Sequence, residues 1–238
     1  MTIIKVCGLT SAGDAVRAAG LGADIIGLVL APSRRRISTH LAAEIIKELR
    51  RLKSRPAVAG VFVNEPAENV NRIAGYCGLD MVQLGGNESW DYCRALELPF
   101  IKVLHISPAS TSAQVVKDLA AGYTTAYRHP FICMLDCQTG GSYGGSGHSF
   151  DWDIAGQACS RFPVMVAGGL SPANVRQLIR RANPAGVDVS SGVESAGMKD
   201  MNKVHEFVRA VRLTGGAGPK GRTLLKTILC KGERYVTR

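Results

Sequence analysis

Several ingredients are scarce in this sequence, and each scarcity removes a class of explanation. No apolar run approaches the roughly 18 residues that a membrane-spanning helix requires. The opening residues carry neither the basic segment nor the apolar stretch of a secretory signal. The seven cysteines (Cys7, Cys77, Cys93, Cys133, Cys137, Cys159 and Cys230) are odd in number and show no CxxC pairing. Neither a disulfide framework nor a metal site is therefore indicated, and a reducing cytoplasm is the expected compartment. Aromatic residues make up only 6% and no stacking pattern accompanies the basic ones. Nucleic acid is thus not the expected partner, despite a formal net charge of +10. Acidic residues are the minority, 19 against 29 Lys plus Arg, and the excess is uneven. From residue 214 onward six basic residues face one acid, a surplus of +5 that leaves the other +5 to residues 1–213. A moderately basic body suits an anionic small molecule. Also missing is a GxGxxG after the first apolar run, where "CGLTSAG" stands, which argues against a dinucleotide-binding sheet.

What is present is a regular alternation. Apolar content of 46% supports a globular core. Eight short apolar, β-branched runs read as strands: "IIKVCGL", "DIIGLVL", "AVAGVFV", "DMVQL", "FIKVLHI", "FICMLD", "VMVAGG" and "GVDVSS". Helical patterns lie between them. One follows a capping Ser11. Another carries Leu41, Ile45, Leu49 and Leu52 on one stripe, and a third opens on Ser171 as cap with Pro172 at its first position. The last, about residues 200 to 213, puts Val204, Phe207, Val208 and Val211 on one face. Strands alternating with helices imply parallel pairing and right-handed crossovers. A count of eight in about 213 residues predicts an α/β fold, a single (β/α)8 TIM barrel over residues 1–213. After the linker-like "TGGAGPKG", residues 214–238 are expected to be a flexible basic extension, with a short amphipathic helix over "RTLLKTILC" as the alternative.

Side chains alternate along a strand, so Lys5 and Cys7 share a face, as do Met134 with Asp136 and Asp188 with Ser190. If the faces bearing Cys7 and Asp136 both look into the barrel, and Lys102 with them, two cations (Lys5, Lys102) and two anions (Asp136, Asp188) balance inside. Gly168 and Gly169 close the seventh strand in "AGGLSPANV", Ser190 and Ser191 close the eighth in "SSGVE", and five glycines crowd residues 140–147. The loops after the last strands of such barrels commonly bind phosphate. The expected phosphate ligands are Gly145, Gly147, Gly168, Gly169, Ser190 and Ser191.

Taken in order, "IKVCGLT", "GADIIGLVL…SRRRIS", "GVFVNEP", "VQLGGNE", "MLDCQTGGSYGGSGHSFDW", "AGGLSPANV" and "GVDVSSGVESAGMKD" resemble the phosphoribosylanthranilate isomerase family over about residues 3 to 210. The resemblance implies a cofactor-free Amadori rearrangement in tryptophan biosynthesis, an aldose–ketose isomerisation. N-(5-phosphoribosyl)anthranilate becomes 1-(2-carboxyphenylamino)-1-deoxyribulose 5-phosphate. It implies Asp136 as general acid, Cys7 as general base and Arg35 as the ligand of the anthranilate carboxylate, with Gln83 and Asp188 lining the site. The implied partner is the small phosphorylated substrate, on a monomer or homodimer without membrane association. One departure stands out: the family's "QLHG" reads "QLGG" here, placing Gly85 where a histidine is usual. Another phosphosugar barrel is a competing reading, as is a catalytically silent barrel whose basic tail binds a polyanion. The metal ligands of an epimerase are not found at the strand ends, and intact Cys7 and Asp136 speak against silence.

Overall fold

The structure is a computed structural model that describes residues 1–125, 130–137, 151–214 and 221–233, with side chains to 230. Its first eight strands are β1 (Ile3–Cys7), β2 (Ile25–Val29), β3 (Ala57–Phe62), β4 (Met81–Leu84), β5 (Phe100–Ile106), β6 (Phe131–Cys137), β7 (Val164–Val166) and β8 (Gly186–Val189). They pair in sequence order, all parallel, and β8 returns to β1 to close the barrel. Strands covered on both faces are apolar almost throughout. All five residues of β2 are buried, and so are the five of β1 although Lys5 is among them.

The outer layer consists of α1 (Ala12–Gly20), α2 (Thr39–Arg50), α3 (Ala67–Cys77), α4 (Trp90–Cys93), α5 (Ser112–Thr125), α6 (Trp152–Arg161), α7 (Val175–Ala182) and α8 (Met201–Thr214). Their apolar stripes meet the outward residues of the strands, such as Ile4, Val6, Leu84 and Leu135, in one large core. Ser11 caps α1 as expected, accepting from the Asp14 amide at 3.1 Å, and Ser38 does the same for α2 from Leu41. The start of α7 differs from expectation. Ser171 and Pro172 belong to a preceding turn, in which the Asn174 side chain accepts from the Ser171 amide and donates to the Gly169 carbonyl. The helix proper begins at Val175.

The barrel interior is layered. At the amino-terminal end, Ile3, Ile25, Ala57, Met81, Ile101 and Met165 form an apolar floor. Part of the basic extension from residue 214 is helical, which is the alternative the sequence offers. Residues Gly221–Glu233 form α9, whose Leu225 and Ile228 join that floor cluster. The physical reason is the floor itself: an open ring of apolar side chains that a leucine-rich helix face can cover. The approach is close, because a side chain at Gly221 would collide with the Ala185 carbonyl. Asp24 fastens the arrangement, accepting from the Ile4 amide at 2.9 Å and from Arg212 and Arg222 at 2.7 Å each.

Candidate active site

The opposite, carboxyl-terminal end is polar. β1 brings Lys5 and Cys7 to the inner face, paired in register with β8 on one side (Lys5 with Asp188) and β2 on the other (Cys7 with Gly27). Gly27 makes the room. A Cβ there would lie 2.7 Å from Cys7 Sγ and 3.0 Å from Lys5 Nζ. Lys5 is fully buried and its ammonium donates to Asp188 Oδ1 at 2.8 Å. Burial alone would push the lysine toward its neutral form, but the charges of Asp188 and Cys7 outweigh it and raise its pKa. The same burial raises the Cys7 thiol, opposed by Lys5 and helped by Asp188.

Asp136 ends the inner face of β6, half-buried. Burial, then repulsion from Asp188, lift its carboxyl to about 7, against the Cys137 amide and Lys5. Gly168, with φ of +86°, turns the chain away from β7 directly beside it; a Cβ there would stand 3.1 Å from Asp136 Oδ1 and 2.8 Å from the Cys137 amide nitrogen. Cys7, Asp136 and Asp188 thus come to one mouth, as the sequence predicts. Gln83 joins them on the inner face of β4, its Oε1 buried without a hydrogen-bond partner among the described residues. Such an orphan acceptor suits a ligand hydroxyl or amine.

Lys102 does not join them, and the balanced interior of four charges is corrected. Its register partners Leu84 and Cys133 face the outer core. Its ammonium meets Glu88 at 3.3 Å behind the barrel wall. Among the described residues the barrel interior therefore holds one lysine against Asp188 and Asp136, and the charge of Asp188 is one reason why the Asp136 carboxyl is raised.

Arg35 lies beside the end of β1. Of the three consecutive arginines its side chain is 12% exposed, and its stem crosses Gly8, whose φ of +78° and missing side chain leave the space. Arg34 and Arg36 are exposed. Gly168 and Gly169 on one side and Ser190 and Ser191 on the other belong to loops that touch, since a side chain at Gly192 would collide with the Leu170 carbonyl. Ser190 Oγ also donates to the Cys7 carbonyl at 3.1 Å. Gly145 and Gly147 lie outside the described residues.

Three features of the mouth escape a strand-by-strand reading. Beside Gly85, His105 on β5 turns its ring so that Nε2 meets the Gly85 carbonyl at 2.9 Å. A carbonyl only accepts, so Nε2 carries the hydrogen. Strand five thus sets an imidazole beside Gly85 at the end of strand four. The other two are Glu194 and Lys199. They are cross-strand partners in a two-stranded ribbon, β9 (Glu194–Ser195) and β10 (Met198–Lys199), and their side chains meet at 2.7 Å. The Ala196-Gly197 pair between two short segments was the legible signal: both residues have positive φ, +50° and +80°, as a two-residue hairpin turn requires.

A closed parallel barrel with a raised carboxyl and a buried thiol at its carboxyl-terminal mouth has the layout of a barrel enzyme, whose active end is that one. No helix among the described residues is long and apolar enough to cross a membrane. Residues 4–210 match the family described as N-(5'phosphoribosyl)anthranilate (PRA) isomerase. The chain is 48% identical to the N-(5'-phosphoribosyl)anthranilate isomerase of Dehalococcoides mccartyi over 89% of its own length and 96% of that protein. Among solved structures, the phosphoribosyl anthranilate isomerase of Thermotoga maritima superimposes with a TM-score of 0.75 at 34% identity, covering 89% of this chain and 99% of that one. Another, solved with reduced 1-(o-carboxyphenylamino)-1-deoxyribulose 5-phosphate, gives 0.72 at 33% identity over the same shares. The chain belongs to the phosphoribosylanthranilate isomerase family, an isomerase of tryptophan biosynthesis. Helix α9 lies beyond the matched residues.

Proposed function

We propose that Asp136 is the general acid and Cys7 the general base of the isomerisation of N-(5'-phosphoribosyl)anthranilate in this chain. The observation that carries the assignment is their placement: both end inner faces at the same mouth, and Lys5 between them and Asp188 acts electrostatically on both. Asp136 protonates the ribose ring oxygen, the bond from that oxygen to C1 breaks, and the anthranilate nitrogen becomes a Schiff base. Cys7 then takes the proton from C2, and the resulting enolamine relaxes to the ketone. An acid near pH 7 is well matched to the first step. The second needs the thiolate, the minor form at neutral pH, which the Lys5 and Lys199 charges favour. Because the acid titrates below the base, kcat/KM is expected to climb to about pH 7 and then run level until Cys7 ionises.

Arg35 receives the anthranilate carboxylate on its planar fork. Gln83 accepts from a sugar hydroxyl, and Asp188 keeps Lys5 charged and directed. The phosphate lies on the joined loops of Gly168, Gly169, Ser190 and Ser191; Gly145 and Gly147 are phosphate ligands on the sequence reading alone. The chain works in the cytoplasm, as a monomer or homodimer. The test follows the fluorescence loss of the substrate with the wild type, Cys7→Ser and Asp136→Asn. Both variants are expected to keep binding the reduced product while losing turnover. Full turnover in Asp136→Asn would sink the acid assignment.

A further inference from the structure

One carboxylate at the mouth holds three cations. Glu194, with its side chain only 6% exposed, accepts from Arg34 at 2.7 Å, from Lys199 at 2.7 Å, and from Arg35 twice, Nε to Oε1 at 2.6 Å and Nη2 to Oε2 at 3.0 Å. Although burial works the other way, the bonds from Arg35 and Lys199 hold the Glu194 carboxyl down at about 2, so it remains an acceptor at every working pH. Lys199 also donates to the Ser190 carbonyl at 2.9 Å, and Lys203 anchors the Glu194 backbone carbonyl at 2.8 Å. The grip on Arg35 is side-on. It uses the Nε edge of the guanidinium and leaves the Nη1 end without a partner among the described residues. A guanidinium has two edges that fit carboxylates; here the protein takes one and a ligand can take the other. The four charged groups sum to three positive and one negative, so the cluster still attracts an anion.

We infer that Glu194 is a positioning residue for the carboxylate of the substrate: by holding the Nε edge of Arg35 it fixes the Nη1 end for the anthranilate ring. This rests on the assignment of Arg35 to that carboxylate. It also carries a sign that a purely electrostatic role lacks. Removing the negative charge of Glu194 raises the local positive charge, which by itself tightens binding of any anion. Loss of orientation weakens binding of the carboxylate alone.

The experiment titrates wild type, Glu194→Gln, Glu194→Asp and Arg35→Met with two stable ligands. One is reduced 1-(o-carboxyphenylamino)-1-deoxyribulose 5-phosphate; the other is its phenylamino analogue lacking the ring carboxylate. Glu194→Gln is expected to weaken the carboxylated ligand about tenfold, the scale of one charge-assisted hydrogen bond, and to leave the analogue unchanged or tighter. KM should rise more than kcat falls, and Glu194→Asp should recover part of the loss. Equal weakening of both ligands, or none of either, overturns the proposal. If Arg35→Met also treats the two ligands alike, the Arg35 assignment itself fails; if Arg35→Met discriminates and Glu194→Gln does not, only the inference about Glu194 falls.

Discussion

The floor and the mouth of this barrel are the two ends of the same eight strands, built to opposite rules. At the floor the inner residues are Ile3, Ile25, Met81 and Met165, and a helix from far along the chain covers them with Leu225 and Ile228. Further along β1, β4 and β6 the inner positions change character, while β2 and β3 keep Val29 and Val61 there. Ile3 gives way to Lys5 and Cys7, Met81 to Gln83 and Gly85, Ile132 and Met134 to Asp136. The floor spends its positions on removing apolar surface from water. The mouth holds a buried ion pair, a raised carboxyl and an orphan amide oxygen, each unfavourable unless something is gained from it. Stability and chemistry are thus separated along the barrel axis within single strands.

The separation can be broken in four ways. The largest effect is on turnover: Cys7→Ser and Asp136→Asn are each expected to lower kcat/KM by about 10²–10⁴-fold, with the melting temperature of Cys7→Ser nearly unchanged. A comparable loss from a floor variant would blur the distinction. Next is Lys5→Met, which leaves Asp188 buried without its partner; a cost of about 3–5 kcal/mol in denaturant unfolding is expected. A near-neutral result would show that water reaches Asp188. Third is Leu225→Ala under α9, expected to cost about 2–4 kcal/mol while kcat/KM stays within about twofold. Loss of activity without loss of stability would couple the two ends.

The smallest effect sharpens the comparison most. The Asp136 carboxyl sits at about 7 in the folded chain against an ordinary 3.8. A carboxyl raised by folding binds its proton more tightly in the native state. Its stabilising contribution is therefore whole below pH 3.8 and is lost as pH rises through about 7. Asp136→Asn should then stabilise the protein at pH 8, by on the order of 2 kcal/mol once the roughly 4 kcal/mol of the full shift is discounted for solvent reaching a half-buried carboxyl, and do little at pH 4. Unfolding curves at the two pH values check it. A stabilised, inactive variant would be the signature of a mouth selected against stability.

How far the sequence reveals this depends on which face of a strand carries the signal. Lys5, Cys7, Asp136 and Asp188 are polar atoms in otherwise apolar runs, and alternation within β1, β6 and β8 is enough to group them. "FIKVLHI" is different. It is apolar on both faces because both are covered, so alternation cannot say which side looks inward, and Lys102 goes outward to Glu88. Glu194 and Lys199 lie five residues apart in the chain. They become neighbours only once Ala196 and Gly197 turn the ribbon, and their meeting with Arg35 needs the whole barrel closed. Helix α9 is amphipathic on paper, yet its propensity alone is marginal for so short a helix. What folds it is a floor that exists only in three dimensions. The site was thus readable where a single strand defines it and hidden where several elements converge.

The floor has a practical side. The Met1 carbonyl accepts from the Arg222 amide at 3.2 Å, beneath the barrel and on the face away from Cys7 and Asp136. A tether attached at Met1, whether to a bead, a chip or a second enzyme, would therefore present the barrel with its entrance outward, in uniform orientation and open to the solution.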